Sequence, residues 1–186
     1  MYSATPPWDI GRPQKAFLDL ARTGAFRGRV LDVGCGTGEH ALMAAGLGLR
    51  AIGVDIAPAA IAIAKEKARN RNLNVRFLVW NALELDGLHE QFDTVLDSGL
   101  FHVFDDRDRF RFVESLRAVI PPGGRYFMLC FSDSQPGDWG PRRVRKEEIE
   151  ASFAEGWNID AIEPATFEVN VDPEMVHAWR VALTRA

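Results

Sequence analysis

Residues 30–38 read Val30-Leu31-Asp32-Val33-Gly34-Cys35-Gly36-Thr37-Gly38, and a second apolar run, Ala51-Ile52-Gly53-Val54, ends in Asp55. The first run, over 29–33, has the composition of a buried strand and stops at three alternate glycines. A helix-compatible stretch from Glu39 to Leu47 follows. Strand, glycine turn, helix, strand and terminal acid together predict a nucleotide-binding βαβ unit. Gly34, Gly36 and Gly38 let the turn curl without Cβ clashes and let a ligand lie against bare backbone. Asp55 can accept hydrogen bonds from two ribose hydroxyls, or it can cap the helix that begins at Pro58.

The spacing also bears on the ligand. A dinucleotide fingerprint carries glycine at the first, third and sixth positions, so that a pyrophosphate rests on the helix N-terminus. Here the sixth position is Glu39, and Asp32 precedes the turn. Carboxylates at these places disfavour a diphosphate and suit a cationic or zwitterionic ligand. The pattern resembles motif I of the class I S-adenosylmethionine (SAM)-dependent methyltransferases. That resemblance implies SAM as cofactor and S-adenosylhomocysteine (SAH) as its product. It points to a cofactor site drawn from Trp8, Asp32, Gly34, Gly36, Gly38, Asp55, Ile56, Asn81, Ala82 and Asp97.

Outward from this unit, the chain alternates strand-like and helix-like stretches. Helices are expected over 13–25, 38–47, 58–71, 106–119 and 145–154. Strands are expected over 29–33, 51–55, 75–80, 91–97, 125–131, 157–169 and 177–184. Five β/α units predict a parallel sheet with helices on both faces. The last two strands have only Asp172-Pro173-Glu174 between them, so they form an antiparallel hairpin. The expected architecture is α/β, a Rossmann-like doubly wound sheet of seven strands, mostly parallel with a C-terminal antiparallel hairpin. It occupies residues 1–186 as one domain, with 1–27 an entry segment and helix and 28–186 the core.

The 186 residues are 47% hydrophobic, enough for a sizeable core, and the formal net charge is −4. No global basic field draws nucleic acid to such a chain. The basic run Arg142, Arg143, Arg145 and Lys146 reads as a solvated helix start beside Glu147, Glu148 and Glu150. No stretch approaches a membrane span, and Cys35 and Cys130 read as buried free thiols of a cytoplasmic protein. No metal site is expected.

On the acceptor side, Asp97-Ser98-Gly99-Leu100-Phe101-His102 follows strand four, and ligands of open α/β sheets sit beyond the carboxyl ends of strands. His102 is a candidate general base, with a hydrogen-bonding or packing role as the alternative. Phe101 and Phe104 are candidates for an aromatic pocket wall, or for the core, and Trp139 for the wall. Asn81 stands where the family places an acid or amide against the adenine; the alternative is a turn-forming Asn. Pro7-Trp8-Asp9-x-Gly11-x-Pro13 resembles the N-terminal signature of thiopurine and thiol/halide methyltransferases. With Phe26-Arg27-Gly28 and residues 157–165, the wider string is similar to the mycobacterial heterocyclic-toxin methyltransferases. The likeness covers nearly the whole chain. It implies methyl transfer to O, S or N of a small aromatic or heterocyclic acceptor, with no nucleic acid or membrane partner. A thiol or thiopurine S-methyltransferase, or a SAM-binding regulator that transfers nothing, are the alternatives. Members with this signature usually carry a longer N-terminal segment that helps cover the site, whereas Trp8 stands close to Met1.

Overall fold

The structure is a computed structural model that describes residues 6–172 and 175–186. Seven strands form one sheet: β1 (Arg29–Val33), β2 (Arg50–Asp55), β3 (Val75–Val79), β4 (Thr94–Ser98), β5 (Arg125–Phe131), β6 (Trp157–Glu168) and β7 (Met175–Arg185). Their order is β3-β2-β1-β4-β5-β7-β6. The first five run parallel, and β7 lies antiparallel to both β5 and β6. This is the sheet the sequence predicts, hairpin included. Of the predicted turn, Pro173 and Glu174 lie outside the described residues.

Helices α1 (Lys15–Arg22), α2 (Glu39–Gly46), α3 (Pro58–Asn70), α4 (Asp106–Val119) and α5 (Lys146–Ser152) cover the two faces. The period-two alternation of strand side chains sorts the core. Leu31, Val33, Val95, Tyr126 and Met128 pack with α4 and α5. Val30, Leu96, Phe127 and Leu129 pack on the other face with α1, α2 and α3. Pro58 opens α3 at its first turn, where a missing N–H costs nothing. Asp105 caps α4, its carboxylate accepting from the Asp108 N–H at 2.8 Å.

Three differences from the sequence reading have local causes. Strand β4 begins at Thr94 rather than residue 91, because its pairing with β1 starts at Val30↔Thr94. Ahead of it, the Phe92 N–H donates to the Val119 carbonyl and the Asp93 carboxylate accepts from the Arg29 N–H. Two 3₁₀ turns, Ala82–Leu88 and Phe101–Val103, replace what reads as loop. The basic run does open a helix, with the exposed Arg145 as the N-cap of α5, but its other members are engaged. Arg142 pairs with Asp106 and Glu148, and Lys146 lies 4.6 Å from the Trp179 ring centroid. Arg143 packs over Phe131 and Trp139.

Between β1 and β4 the chain order reverses, and a crevice opens there at the carboxyl ends of the strands.

Candidate functional site

A cavity of about 630 Å³ occupies this crevice. Its floor is the turn after β1, with Gly34, Cys35, Gly36 and Thr37; one side is Asp55, Ile56 and Ala57 after β2. Asp55 ties these two segments together. Its Oδ2 accepts from the Gly36 N–H at 2.9 Å and its Oδ1 from the Ala57 N–H at 2.8 Å. The carboxylate still faces the cavity, and each oxygen keeps a second lone pair for a ligand. Beside it, Ile56 is 71% exposed, an apolar face with no protein covering it. An acid offering lone pairs next to a bare apolar side chain and an open backbone turn suits a nucleoside. Lys67, whose Nζ reaches the turn at Thr37 Oγ1 at 2.7 Å, is committed to Glu39. Glu39 at the start of α2 is already engaged by Lys67 and Arg71, each at 2.8 Å.

The other half of the cavity is aromatic. Phe131 ends β5, Phe167 lies near the end of β6, and Trp139 stands edge-on to Phe131 with ring centroids 6.1 Å apart. Val103, Val169, Val171 and Trp8 complete this wall. Trp8 is brought here by the β6–β7 end of the sheet. Asn170 donates its backbone N–H to the Pro7 carbonyl, and its side-chain amide donates to those of Pro6 and Asp9. Gln14 and Glu168 exchange a reciprocal pair of 2.8 Å bonds, while Arg12 grips the Glu168 carboxylate.

His102 lines the cavity, but not as a free base. Its Nδ1 accepts the Phe131 N–H at 3.0 Å, so the ring proton sits on Nε2. Burial, with the positive charges of Arg143 and Arg109, pushes its pKa down to about 3, and the ring stays neutral. The general-base reading is therefore corrected. The nitrogen facing the cavity is a donor at neutral pH.

Other expected site residues lie elsewhere, for reasons of strand alternation and packing. Asp32 projects to the α2 face of β1 and accepts the Ala41 N–H at 3.0 Å; burial raises its pKa to about 8. Asp97 projects to the opposite face. There it accepts from Leu100 N–H, Phe101 N–H and the Tyr126 hydroxyl, and burial outweighs these donors to lift its pKa to about 7. It organises the turn after β4 rather than lining the cavity. Gly38 serves packing, since a Cβ on it would meet the Phe77 ring at 2.6 Å. Asn81 is the cap of the first 3₁₀ turn, accepting from Leu83 N–H at 3.0 Å. Neither it nor Ala82 lines the cavity. Phe101 is fully buried against Phe153, and Phe104, partly buried, packs on the core against Phe112; neither lines the cavity. Sequence reasoning passed over Phe131, Phe167 and His40. The first two looked like ordinary strand residues. His40 is held by the Gln14 N–H on its Nε2, and burial lowers its pKa to about 4.

A Rossmann-like sheet whose glycine turn and strand-end acid line one cavity at the switch point fits the class of nucleoside-binding α/β proteins. The model of the methyltransferase domain family matches residues 30–124. A 2-heptyl-1-hydroxyquinolin-4(1H)-one methyltransferase from Mycobacteroides abscessus is 38% identical over 173 residues, covering 91% of this chain and 76% of that one. A probable thiol methyltransferase 2 from Arabidopsis thaliana is 27% identical, covering 96% and 81%. A structure from work on conversion of a disulfide bond into a thioacetal group during echinomycin biosynthesis superposes with a TM-score of 0.87. It shares 38% identity and covers 97% of this chain and 85% of that one. The chain belongs to the SAM-dependent methyltransferases, and its reaction is methyl transfer from SAM. Among the described residues, no helix is long and apolar enough to cross a membrane.

Proposed function

We propose that this enzyme methylates O, S or N of a small, flat aromatic or heterocyclic acceptor. The observation that carries the reading is the aromatic slot of Phe131, Trp139, Phe167 and Trp8, which shares one cavity with the glycine turn. Flat rings bury large apolar area against such walls, and polar contacts there are few. The similarity to the hydroxyquinolinone methyltransferase of M. abscessus supports the same acceptor class. In this reading Asp55 receives the ribose hydroxyls, Ile56 covers the adenine, and the backbone of Gly34 and Gly36 meets the methionine end of SAM. The acceptor lies against Phe131, Trp139 and His102. The chain's own work is alignment and exclusion of water, and alignment alone can remove on the order of 7–11 kcal/mol of barrier.

Calorimetric titration with SAM and SAH, followed by turnover on a panel of phenols, aromatic thiols and hydroxyquinolines, tests this. Transfer to flat aromatic members, at rates well above aliphatic thiols and alcohols, is the expected result. SAM binding with transfer to aliphatic thiols alone would replace this reading with a general thiol S-methyltransferase.

A further inference from the structure

The acceptor half of the cavity has an unusual polar composition. Its aromatic wall is broken at one place by the His102 imidazole, with Nδ1 committed to the Phe131 N–H. Beside Nε2 stands Gly99, which has φ +86; a Cβ placed on it would stand 3.3 Å from Nε2 and 3.1 Å from the Phe167 ring. Gly99 and His102 line the same cavity as the glycine turn after β1, the strand that pairs with β4, and the missing Cβ leaves the space beside Nε2 uncrowded.

The charges facing His102 share one sign. Arg143, from the segment after β5, lies over Phe131, the ring that packs edge-on to His102 at 4.9 Å. Arg109, from α4, is 4% exposed and lies 4.6 Å from the centroid of Phe101, the residue before His102. Its Nε and Nη2 have no hydrogen-bond partner among the described residues, and Glu148 meets only Nη1, at 3.3 Å. The charged groups lining the rest of the cavity are engaged. Asp9 accepts from the Gly11 N–H, Arg12 pairs with Glu168, and Glu39 pairs with Lys67 and Arg71. His40 accepts from Gln14, and Asp55 holds its two N–H donors.

We infer that the enzyme takes its acceptor as a pre-formed anion, an acidic hydroxyl or thiol on an aromatic ring, and that the Nε2–H of His102, beside Gly99, is the donor that receives it. This rests on the aromatic-acceptor reading above and narrows it. The acceptor loses its proton to solvent before or during entry. An acceptor lone pair then forms the bond to the methyl carbon, and the carbon–sulfur bond breaks with its electron pair staying on sulfur. Sulfonium and anion become two neutral products. No proton passes to the protein, which is why a neutral histidine whose only free nitrogen is a donor fits the site. The acceptor is selected by acidity as well as by shape.

The wild-type enzyme is tested with a series of nitrophenols and thiophenols of graded acidity, at saturating SAM. The acid limb of kcat/KM against pH moves with each acceptor's own pKa. A limb at one fixed pH for every acceptor reveals an enzymic base and overturns the inference. An independent equilibrium readout uses SAH in place of SAM and follows the absorbance of an ionisable nitrophenol during titration. Binding favours its anion at least about tenfold in the wild type and in His102→Gln, which keeps a donor at that place, and the preference is lost in His102→Phe. Equal binding of the neutral and anionic forms by the wild type also overturns the inference, whether or not the variants fold. Failure of every aromatic acceptor to bind or react counts instead against the aromatic-acceptor reading itself.

Discussion

The Asp55 carboxylate accepts from the Ala57 N–H in the turn ahead of α3, which has no side-chain cap, and from the Gly36 N–H of the glycine turn. Asp55 lies where its spacing in the chain put it, at the cavity. Asp55→Ala removes charge-assisted bonds worth about 1.5–3 kcal/mol each. SAM affinity in a calorimetric titration therefore falls at least about tenfold, and the ligand-free protein also unfolds at a lower temperature. Unchanged affinity in a folded variant takes Asp55 out of the cofactor site. His102 shows the opposite outcome. Its place after β4 was legible from the chain order, but its protonation was not. Which nitrogen holds the proton depends on the Phe131 N–H, 29 residues away in sequence.

The segment between β5 and α5 belongs to the scale of elements. It reads as a Pro/Gly loop followed by basic residues, and the sequence does not connect the two. In the fold, Arg143 gathers the loop: Nη1 meets the Pro141 carbonyl at 2.7 Å, with longer contacts from Nε to Gln135 and from Nη2 to Gly137. Its guanidinium lies near both the Phe131 and Trp139 rings, at 5.4 and 5.7 Å from their centroids. Glu148 anchors the far side through Arg109, Arg142 and Arg145, and against its burial the Arg145 backbone N–H, then Arg142 and the Arg145 side chain, hold its pKa down at about 2. Arg143→Ala frees the loop that carries Trp139. The KM for an aromatic acceptor rises several-fold while SAM affinity stays within about twofold, and limited proteolysis cuts within 134–141 sooner. Equal shifts in both ligands would show that Arg143 supports the whole crevice instead. Lysine at this position does not substitute, because it lacks the planar fork.

Across the whole molecule, the N-terminal segment is tied to the helix after the cofactor turn through Gln14 and His40, and to the far hairpin through Glu168. Glu168 receives Arg12, the Lys15 N–H and, through its backbone, Gln14; the Arg12 hydrogen bond is the largest of the influences that lower its pKa from 4.5. A carboxyl lowered on folding stabilises the folded state above its unfolded pKa, and that contribution disappears as pH falls through the folded one. The thermal midpoint of the wild type minus that of Glu168→Gln is thus positive at pH 7 and shrinks on acidification below about 4.5. A difference that is flat with pH would mean the Arg12 pair contributes nothing. Loss of the pair also loosens Trp8 over the cavity, so SAH dissociates faster from Glu168→Gln. What the chain order made legible was the sheet, its hairpin and the place of the glycine turn and Asp55 at the crevice. The glycine turn and Asp55 lie within one βαβ unit, where local spacing sets their geometry. Period-two alternation was equally present in the sequence, yet it does not say which face of a strand meets a ligand, so Asp32 and Asp97 looked like site residues and are buried supports. The aromatic half of the cavity is assembled from Trp8, His102, Phe131, Trp139 and Phe167: pairing of β4 with β5 brings His102 to Phe131, and β7, inserted antiparallel beside β5, draws β6 and the N-terminal segment across the crevice. Contacts between residues so far apart in the chain leave no periodicity or spacing to read; the packed sheet alone sets them.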